Sequence, residues 1–417
     1  MPFDAMFLTA VAAELRPALV GARVDKIQQP ARDTVVLQLR GRDGGGRLLL
    51  SANGNRPRVH LTQAQLENPA HPPMFCMHLR KYLSGAKLIE VSQIGFERVA
   101  DFIFSGYSEL GDPSVKHLIV EIMGRYSNII FTDESMRILD AVRHVDETVS
   151  SQRLVFGGLT YELPPPQEKI NPLTAGRDEF LSAAAGYTDG RLDKYLLNAI
   201  LGISPLIARE LAFRIGERDL MGSEEGGFAR TAIADALCEF FNPIRKGEFG
   251  AYLLSDFQDG RMIDFSPVEI RQYGSAAQIQ SFESFSQAVE VFYEKKDQAA
   301  RLRQKASDLS RCVANHIDRC KKKIEIQKKA MEDTENKEWM RICGDLLMAN
   351  IGMIEKGARE AALVNFYDEE QKMVSIPLEE SLSAAENAQR YYKKYAKLKV
   401  AQVEQAKQLL MAEEDCA

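Results

Sequence analysis

The sequence has no cysteine pair at Cys-x-x-Cys spacing. Its six cysteines, Cys76, Cys238, Cys312, Cys320, Cys343 and Cys416, are scattered along the chain. That scatter argues for reduced thiols and against both a disulfide scaffold and a structural zinc site. The six histidines include no His-Glu-x-x-His and no partner at ligand spacing, so no metal is expected. No activated nucleophile and no nucleotide-phosphate loop is visible, which predicts no catalytic residue and no cofactor. No apolar run reaches the roughly eighteen residues of a membrane helix. The N-terminus lacks the basic-then-apolar pattern of a secretory leader. A soluble, cytoplasmic chain without a membrane partner is the expectation.

What is present is an ordinary globular composition: 417 residues, 45% hydrophobic and 27% charged. That length is enough for two or three domains with their own cores. A net charge of −6 taken alone speaks against nucleic acid. Its distribution speaks for a directed polyanion contact. Residues 301–330 carry ten Lys/Arg against three acids, and residues 389–400 carry five Lys/Arg and no acid. Charge alone leaves solvated helix faces as an equal alternative.

The stretch around which the chain is organised is Glu121-Ile-Met-Gly-Arg125 with the following Tyr126-Ser-Asn128. Apolar runs on either side predict two strands, 117–123 and 128–132, joined by a tight turn. Gly124 supplies a positive φ and Asn128 bonds its own backbone. That turn lifts the planar, permanently charged Arg125 out of a buried sheet. A second charged pair, Glu97-Arg98, stands at the start of another strand, 99–105. These strand ends are expected to form one polar surface.

Along the chain, residues 1–16 predict a helix with Asp4 as N-cap and Pro17 as its stop. Strands are predicted at 23–28, 34–39, 47–52 and 58–61, with the glycine-rich stretch 41–46 as a flexible hairpin loop. A helix over 74–83 follows, then strands at 88–93, 99–105, 117–123, 128–132 and 138–142. Pro164-Pro-Pro166 marks the end of this β-rich domain, residues 1–172. Residues 173–245 turn to helical periodicity. Within them Tyr195 to Arg214 has the form of a helix-hairpin-helix, whose turn offers N–H groups at a helix N-terminus. Gly202 fills one glycine place of that hairpin and Ser204 the other, so a phosphate site and a purely structural hairpin both stay open. Ser223 to Gly227 reads as a loop. Residues 246–281 predict a small β-hairpin extension.

From about residue 282 a long helix carries Leu302, Ala306, Leu309, Val313, Ile317, Cys320 and Ile324 at steps of three and four, a coiled-coil seam. The pattern resumes over 339–354 and is interrupted by a β-hairpin at about 355–380. A last helix follows from about 383 to 413. The expectation for 282–417 is an antiparallel arm with a small knob, pairing within one chain or between two. The fold class is thus multidomain α+β.

Several of these segments together resemble the NFACT family: Phe3-Asp4, Asp25-Lys-Ile27, the helix from Phe75 to Lys81, and Glu97-Arg98. To them belong also Glu121 to Arg125 with Asn128, Leu201 to Pro205, Asn365 to Asp368, and Glu386 to Lys399. The resemblance runs over essentially the whole chain in order. It implies an N-terminal domain similar to that of formamidopyrimidine-DNA glycosylase, then a helix-hairpin-helix domain and a coiled-coil arm. The family's further small C-terminal domain is expected to have no counterpart here. The resemblance also implies binding to a large ribosomal subunit obstructed by peptidyl-tRNA. There the family recruits alanyl-tRNA and supports template-free addition of C-terminal alanines, which mark the stalled chain for proteolysis.

Carried onto this sequence, the family's tRNA-holding acid–arginine pair falls at Glu97 and Arg98, and its acid at the first helix at Asp4. The pair is most often Asp-Arg, and Glu97 is one methylene longer. Arg125 and Asn128 belong to the accompanying motif. For Arg98 and Arg125 the readings are a grip on RNA or an ion pair with Glu97 or Glu121. For Asp4 they are a tRNA contact or a simple helix cap. Arg390, Lys393, Lys394 and Lys397 are expected to meet ribosomal RNA through charge. The tyrosines among them stack on bases or pack on a partner helix. Two other classes stand beside this one. A lyase acting through the secondary amine of Pro2 lacks the acid and zinc finger of that glycosylase motif. A fibronectin-binding surface adhesin lacks an export signal.

Overall fold

A computed structural model describes residues 3–42, 44–108, 110–148, 150, 152–187, 190–219, 230–332 and 336–414. The expected loop at Ser223 to Gly227, together with Pro2 and Cys416, lies outside the described residues. The chain divides into two compact units, Met1–Ala299 and Ala300–Ala417.

The first unit opens with α1 (Ala5–Leu19), started by Asp4 in an extended conformation. Pro17 does not stop it: the proline sits in the last turn, and the Val20 N–H still reaches the Arg16 carbonyl at 3.0 Å. Near a helix end a missing N–H costs a single bond. Phe7, Val11, Leu15 and Leu19 face the main core, while Ala5 and Met6 face a second one.

Nine antiparallel strands follow: β1 (Arg23–Ala31), β2 (Thr34–Arg40), β3 (Gly45–Ser51) and β4 (Arg58–Leu61) before α2 (Met74–Leu83), then β5 (Lys87–Gln93), β6 (Val99–Tyr107), β7 (Pro113–Glu121), β8 (Asn128–Asp133) and β9 (Ile138–Ala141). They form one sheet in the order β4-β3-β2-β1-β5-β6-β7-β8-β9. Alternation sets its faces: Val35, Leu37 and Leu39 of β2 enter the main core with Phe102 and Phe104 of β6.

A helical layer comprises α3 (Arg177–Ala185), α4 (Leu192–Ala199), α5 (Pro205–Asp219) and α6 (Arg230–Arg245) around Phe180, Leu196, Leu211 and Phe241. The extension after it gains a strand over the two expected: β10 (Ala251–Asp256), β11 (Met262–Ser266) and β12 (Ala277–Phe282), in the order β11-β10-β12. Leu253 and Phe265 join the sheet core, whereas Leu254 and Ile270 join the helical core. The long helix α7 (Phe285–Glu332) also begins inside this unit, with Val289, Phe292 and Tyr293 buried in the sheet core. The segments 1–172, 173–245 and 246–281 therefore share one compact unit with the first turns of α7.

The second unit holds the rest of α7, α8 (Lys337–Ala349), the hairpin β13 (Glu360–Val364) and β14 (Met373–Pro377), and α9 (Ala384–Glu414). Leu346, Leu347, Ile376, Ala388 and Tyr391 form its core. Gln327 meets Gln408 at 3.0 Å, Lys337 bonds Gln402, and Tyr392 reaches Asp345 at 2.7 Å, so α9 runs antiparallel to α7 and α8. The seam is only partly paired. Cys320 is buried, but Leu302 is 68% exposed and Leu309 67% exposed. Periodicity records a face suited to a partner, not how far a partner extends along it.

Candidate nucleic-acid interface

The structure brings Asp4, Glu97 and Arg98 together where the sheet meets the α4–α5 hairpin. Gly202 in that hairpin has a φ of +75°, and a Cβ there would lie 2.6 Å from the Phe96 ring and 2.8 Å from the Ala5 Cβ. Glycine is required twice over, by backbone and by space. The Gly202 carbonyl accepts the Ala5 N–H at 3.0 Å. The carboxylate of Asp4 then serves two helices. Its Oδ1 accepts the Phe7 N–H at 2.8 Å, and its Oδ2 accepts the Ser204 N–H at 3.1 Å just ahead of α5. The amide left open for a phosphate is thus taken by a carboxylate of the same chain. Burial pushes the Asp4 carboxyl up, while the Phe7 and Ser204 bonds and the Arg98 charge oppose that rise.

The turn carrying Glu97 and Arg98 is held from below. Gln93 donates to the Glu97 carbonyl at 2.7 Å and to the Ala5 carbonyl at 2.9 Å. Thr9 donates to the Gln93 side chain at 2.6 Å. Burial raises the Glu97 carboxyl, with Arg98 and Lys169 opposing. Lys169 carries no motif that would mark it in the sequence; its Nζ donates to the Leu197 carbonyl in the last turn of α4 at 3.1 Å. Arg98 is half-buried, and its charge opposes the upward shift of both the Asp4 and the Glu97 carboxyls.

Arg125 and Asn128 form a second cluster at the same end of the sheet. Strand register pairs Val99 with Glu121 and Glu121 with Asn128, and the Ile122 N–H reaches the Arg98 carbonyl at 2.8 Å. Between β7 and β8, Gly124–Tyr126 form one 3-10 turn, with Gly124 at φ +59°. Arg125 and Tyr126 are exposed; Asn128 is buried. The Asn128 amide accepts the Arg143 N–H at 3.0 Å and donates to the Arg143 carbonyl at 2.8 Å. The Arg143 guanidinium in turn donates to the carbonyls of Arg125 at 2.6 Å and Ala52 at 3.0 Å. Asn128 is thus tied through Arg143 to the backbone under Arg125. Arg143 follows β9 alone, with no pattern in sequence to mark it.

Glu121 does not pair with Arg125. It is buried against Arg153 at 2.6 Å and accepts the Tyr161 hydroxyl at 2.9 Å. The ionic alternative for Arg125 is thereby removed at Glu121.

In the second unit Lys393, Lys394 and Lys397 are exposed on α9, while Arg390 pairs with Glu379. Tyr391 and Tyr392 pack rather than present faces: their hydroxyls reach the Pro377 carbonyl and the Asp345 carboxylate, each at 2.7 Å. Among the described residues no group of three or more His, Cys, Asp and Glu is arranged to hold a metal, and no helix is long and apolar enough to cross a membrane.

The chain is similar to known proteins over its whole length. Two relatives are both described as Rqc2 homolog RqcH. The one from Bacillus subtilis is 36% identical over all of this chain and 70% of its own length. The one from Streptococcus pneumoniae serotype 2 is 34% identical over 96% of this chain and 67% of its own length. The human ribosome quality control complex subunit NEMF is 24% identical over 88% of this chain and 34% of its own. Among solved structures, the N-terminal part of the fibronectin/fibrinogen-binding protein of Streptococcus suis aligns with a TM-score of 0.58 at 31% identity, covering 70% of this chain and 99% of that one. The fibrinogen-binding protein of Staphylococcus aureus gives 0.59 at 29%, with the same coverage. The model described as NFACT N-terminal and middle domains matches residues 4–417, and the chain belongs to the NFACT family.

Proposed function

We propose that this protein is a ribosome quality control factor. It binds large subunits that carry peptidyl-tRNA, recruits alanyl-tRNA, and supports template-free C-terminal alanine tailing of the stalled chain. The observation that carries this reading is the match over the whole chain to proteins described as Rqc2 homolog RqcH. Arg98, held among Asp4, Glu97 and Lys169, is the charge that grips tRNA, with the exposed Arg125 beside it on the sheet end. Asp4 and Asn128 hold these arginines in place through the backbone. Lys393, Lys394 and Lys397 meet ribosomal RNA as point charges, with Arg390 shared between Glu379 and that contact. The helices α7, α8 and α9 make an antiparallel arm, and the sheet unit is a glycosylase-like RNA holder in the cytoplasm. Peptide-bond formation belongs to the ribosome, and the chain works as an adaptor rather than an enzyme.

The names of the two solved relatives favour a second reading, adhesion to fibronectin or fibrinogen. It is less well supported, because those structures cover 70% of this chain whereas the quality-control relative covers all of it. Sedimentation from a lysate at low salt separates the two. Comigration with the large subunit supports quality control, and its absence alongside fibronectin binding supports adhesion.

A further inference from the structure

A cavity of about 650 Å³ lies where α5 and α6 meet the three-stranded sheet, and it shares no residue with the RNA-holding surface proposed above. Its walls are largely apolar, with Phe240 of α6, Phe249 and Tyr252 of β10 among them. The Tyr252 ring lies on Gly250, where a Cβ would come within 2.5 Å of it. The Gly250 N–H bonds the Pro267 carbonyl at 3.0 Å, so backbone fixes that wall. The charges around the cavity are unequal in sign: Glu217, Glu239, Glu248 and Glu269 stand against Arg214 and Arg271. Both arginines are already answered. Arg214 donates to the buried Glu210 carboxylate and to the Glu269 carbonyl, each at 2.7 Å, and Arg271 lies 3.9 Å from the Glu269 carboxylate. Among the described residues, the exposed carboxylates of Glu217 and Glu248 have no ion-pair partner. The lining also accepts a cation over a ring, since the Arg214 guanidinium stands 5.1 Å from the Phe240 centroid.

We infer that this cavity binds an organic cation, an ammonium or guanidinium on an aliphatic stem. The stem packs against Phe249 and Tyr252, and the charge rests at Glu217 and Glu248. The volume is that of a small-molecule site. A cation is drawn to aromatic faces, and its methylenes bury on apolar surface while the head stays in water. An anion would meet an excess of carboxylates here. A neutral apolar ligand would take water from those carboxylates and give no partner in return. Two sources carry the required chemistry: a free polyamine, and the lysine or arginine side chains of a partner polypeptide.

The test is calorimetric titration of the full chain at low salt with spermidine, and separately with a short peptide bearing lysine and arginine. At least one of them should bind saturably. Changing Glu217→Gln and Glu248→Gln together should weaken that binding by about tenfold. Both positions are exposed, so the doubly changed protein should fold as the wild type does. Changing Glu369→Gln and Glu370→Gln, exposed in the second unit, removes as much charge and should leave binding unaltered. Tighter binding of spermidine supports the site with a free polyamine as its ligand, and tighter binding of the peptide supports it with a partner polypeptide. Equal weakening in the two doubly changed proteins overturns the site, since that assigns binding to the net charge of −6. Saturable binding of neither compound also overturns it.

Discussion

Asp4 and Ser204, 200 residues apart in the chain, are joined by a hydrogen bond of 3.1 Å from the Ser204 N–H, and the same carboxylate starts α1 through Phe7. One side chain thus fixes the angle between the sheet unit's first helix and the α4–α5 hairpin. The turn bearing Glu97 and Arg98 lies against both, through Gln93 and Phe96.

Asp4→Ala removes both caps and should lower stability by about 2 kcal/mol. Asp4→Asn keeps one acceptor oxygen but turns an N–H donor toward one of the two amides, so it should cost roughly half as much. Denaturant unfolding of the three proteins checks the order. Equal stability of all three would show that the two caps contribute nothing.

Gly202→Ala places a Cβ at a φ of +75° and 2.6 Å from the Phe96 ring. Left-handed strain and overpacking together should cost roughly 3 kcal/mol. RNA binding should also weaken, because Phe96 immediately precedes Glu97 and Arg98. A stable variant with unchanged RNA affinity would contradict the hairpin's role in placing that turn.

Asp264 on β11 predicts a pH dependence. Burial pushes its carboxyl up to about 7; Asp4 pushes the same way, while the bond from the Phe265 N–H at 2.9 Å and the Lys296 charge oppose it. The folded value lies above the unfolded one, so this group's stabilising contribution is full below the ordinary carboxylate range. It is lost as pH rises through about 7. Relative to Asp264→Asn, the wild type should lose stability at up to roughly 1.4 kcal/mol per pH unit across that window. A stability difference independent of pH would refute the shift.

Lys393, Lys394 and Lys397 are exposed on α9. Reversing their charge should weaken binding to the large subunit and flatten its salt dependence, by about 0.7 to 0.9 in log–log slope for each phosphate no longer neutralised. An unchanged slope would place the ribosomal interface elsewhere.

Much of this architecture is legible in the sequence because it is local. Alternation marks the strands near their observed ends, and Asp4 before an apolar stripe marks a cap. What stays hidden depends on distant partners. Nothing near Asp4 announces Ser204, and a lone Arg143 after β9 carries no period that would tie it to Arg125. The β12 strand escapes a reading by alternation because most of its side chains face outward, leaving no apolar rhythm. The seam from Leu302 to Val313 has the period of a paired helix, yet Leu302, Leu309 and Val313 are exposed. Pro17 carries the signal of a helix stop because proline breaks helix interiors, but in a last turn the missing N–H matters little.

Whether Arg98 holds tRNA for a protein acting on the large ribosomal subunit is best decided in cells. The wild-type chain and Arg98→Ala are isolated at low salt, and the RNA that accompanies each is sequenced. Large-subunit RNA should come with both proteins, and one enriched tRNA species, that of alanine, with the wild type only. Normal tRNA recovery with Arg98→Ala would contradict the site, and no RNA with either protein would contradict the function.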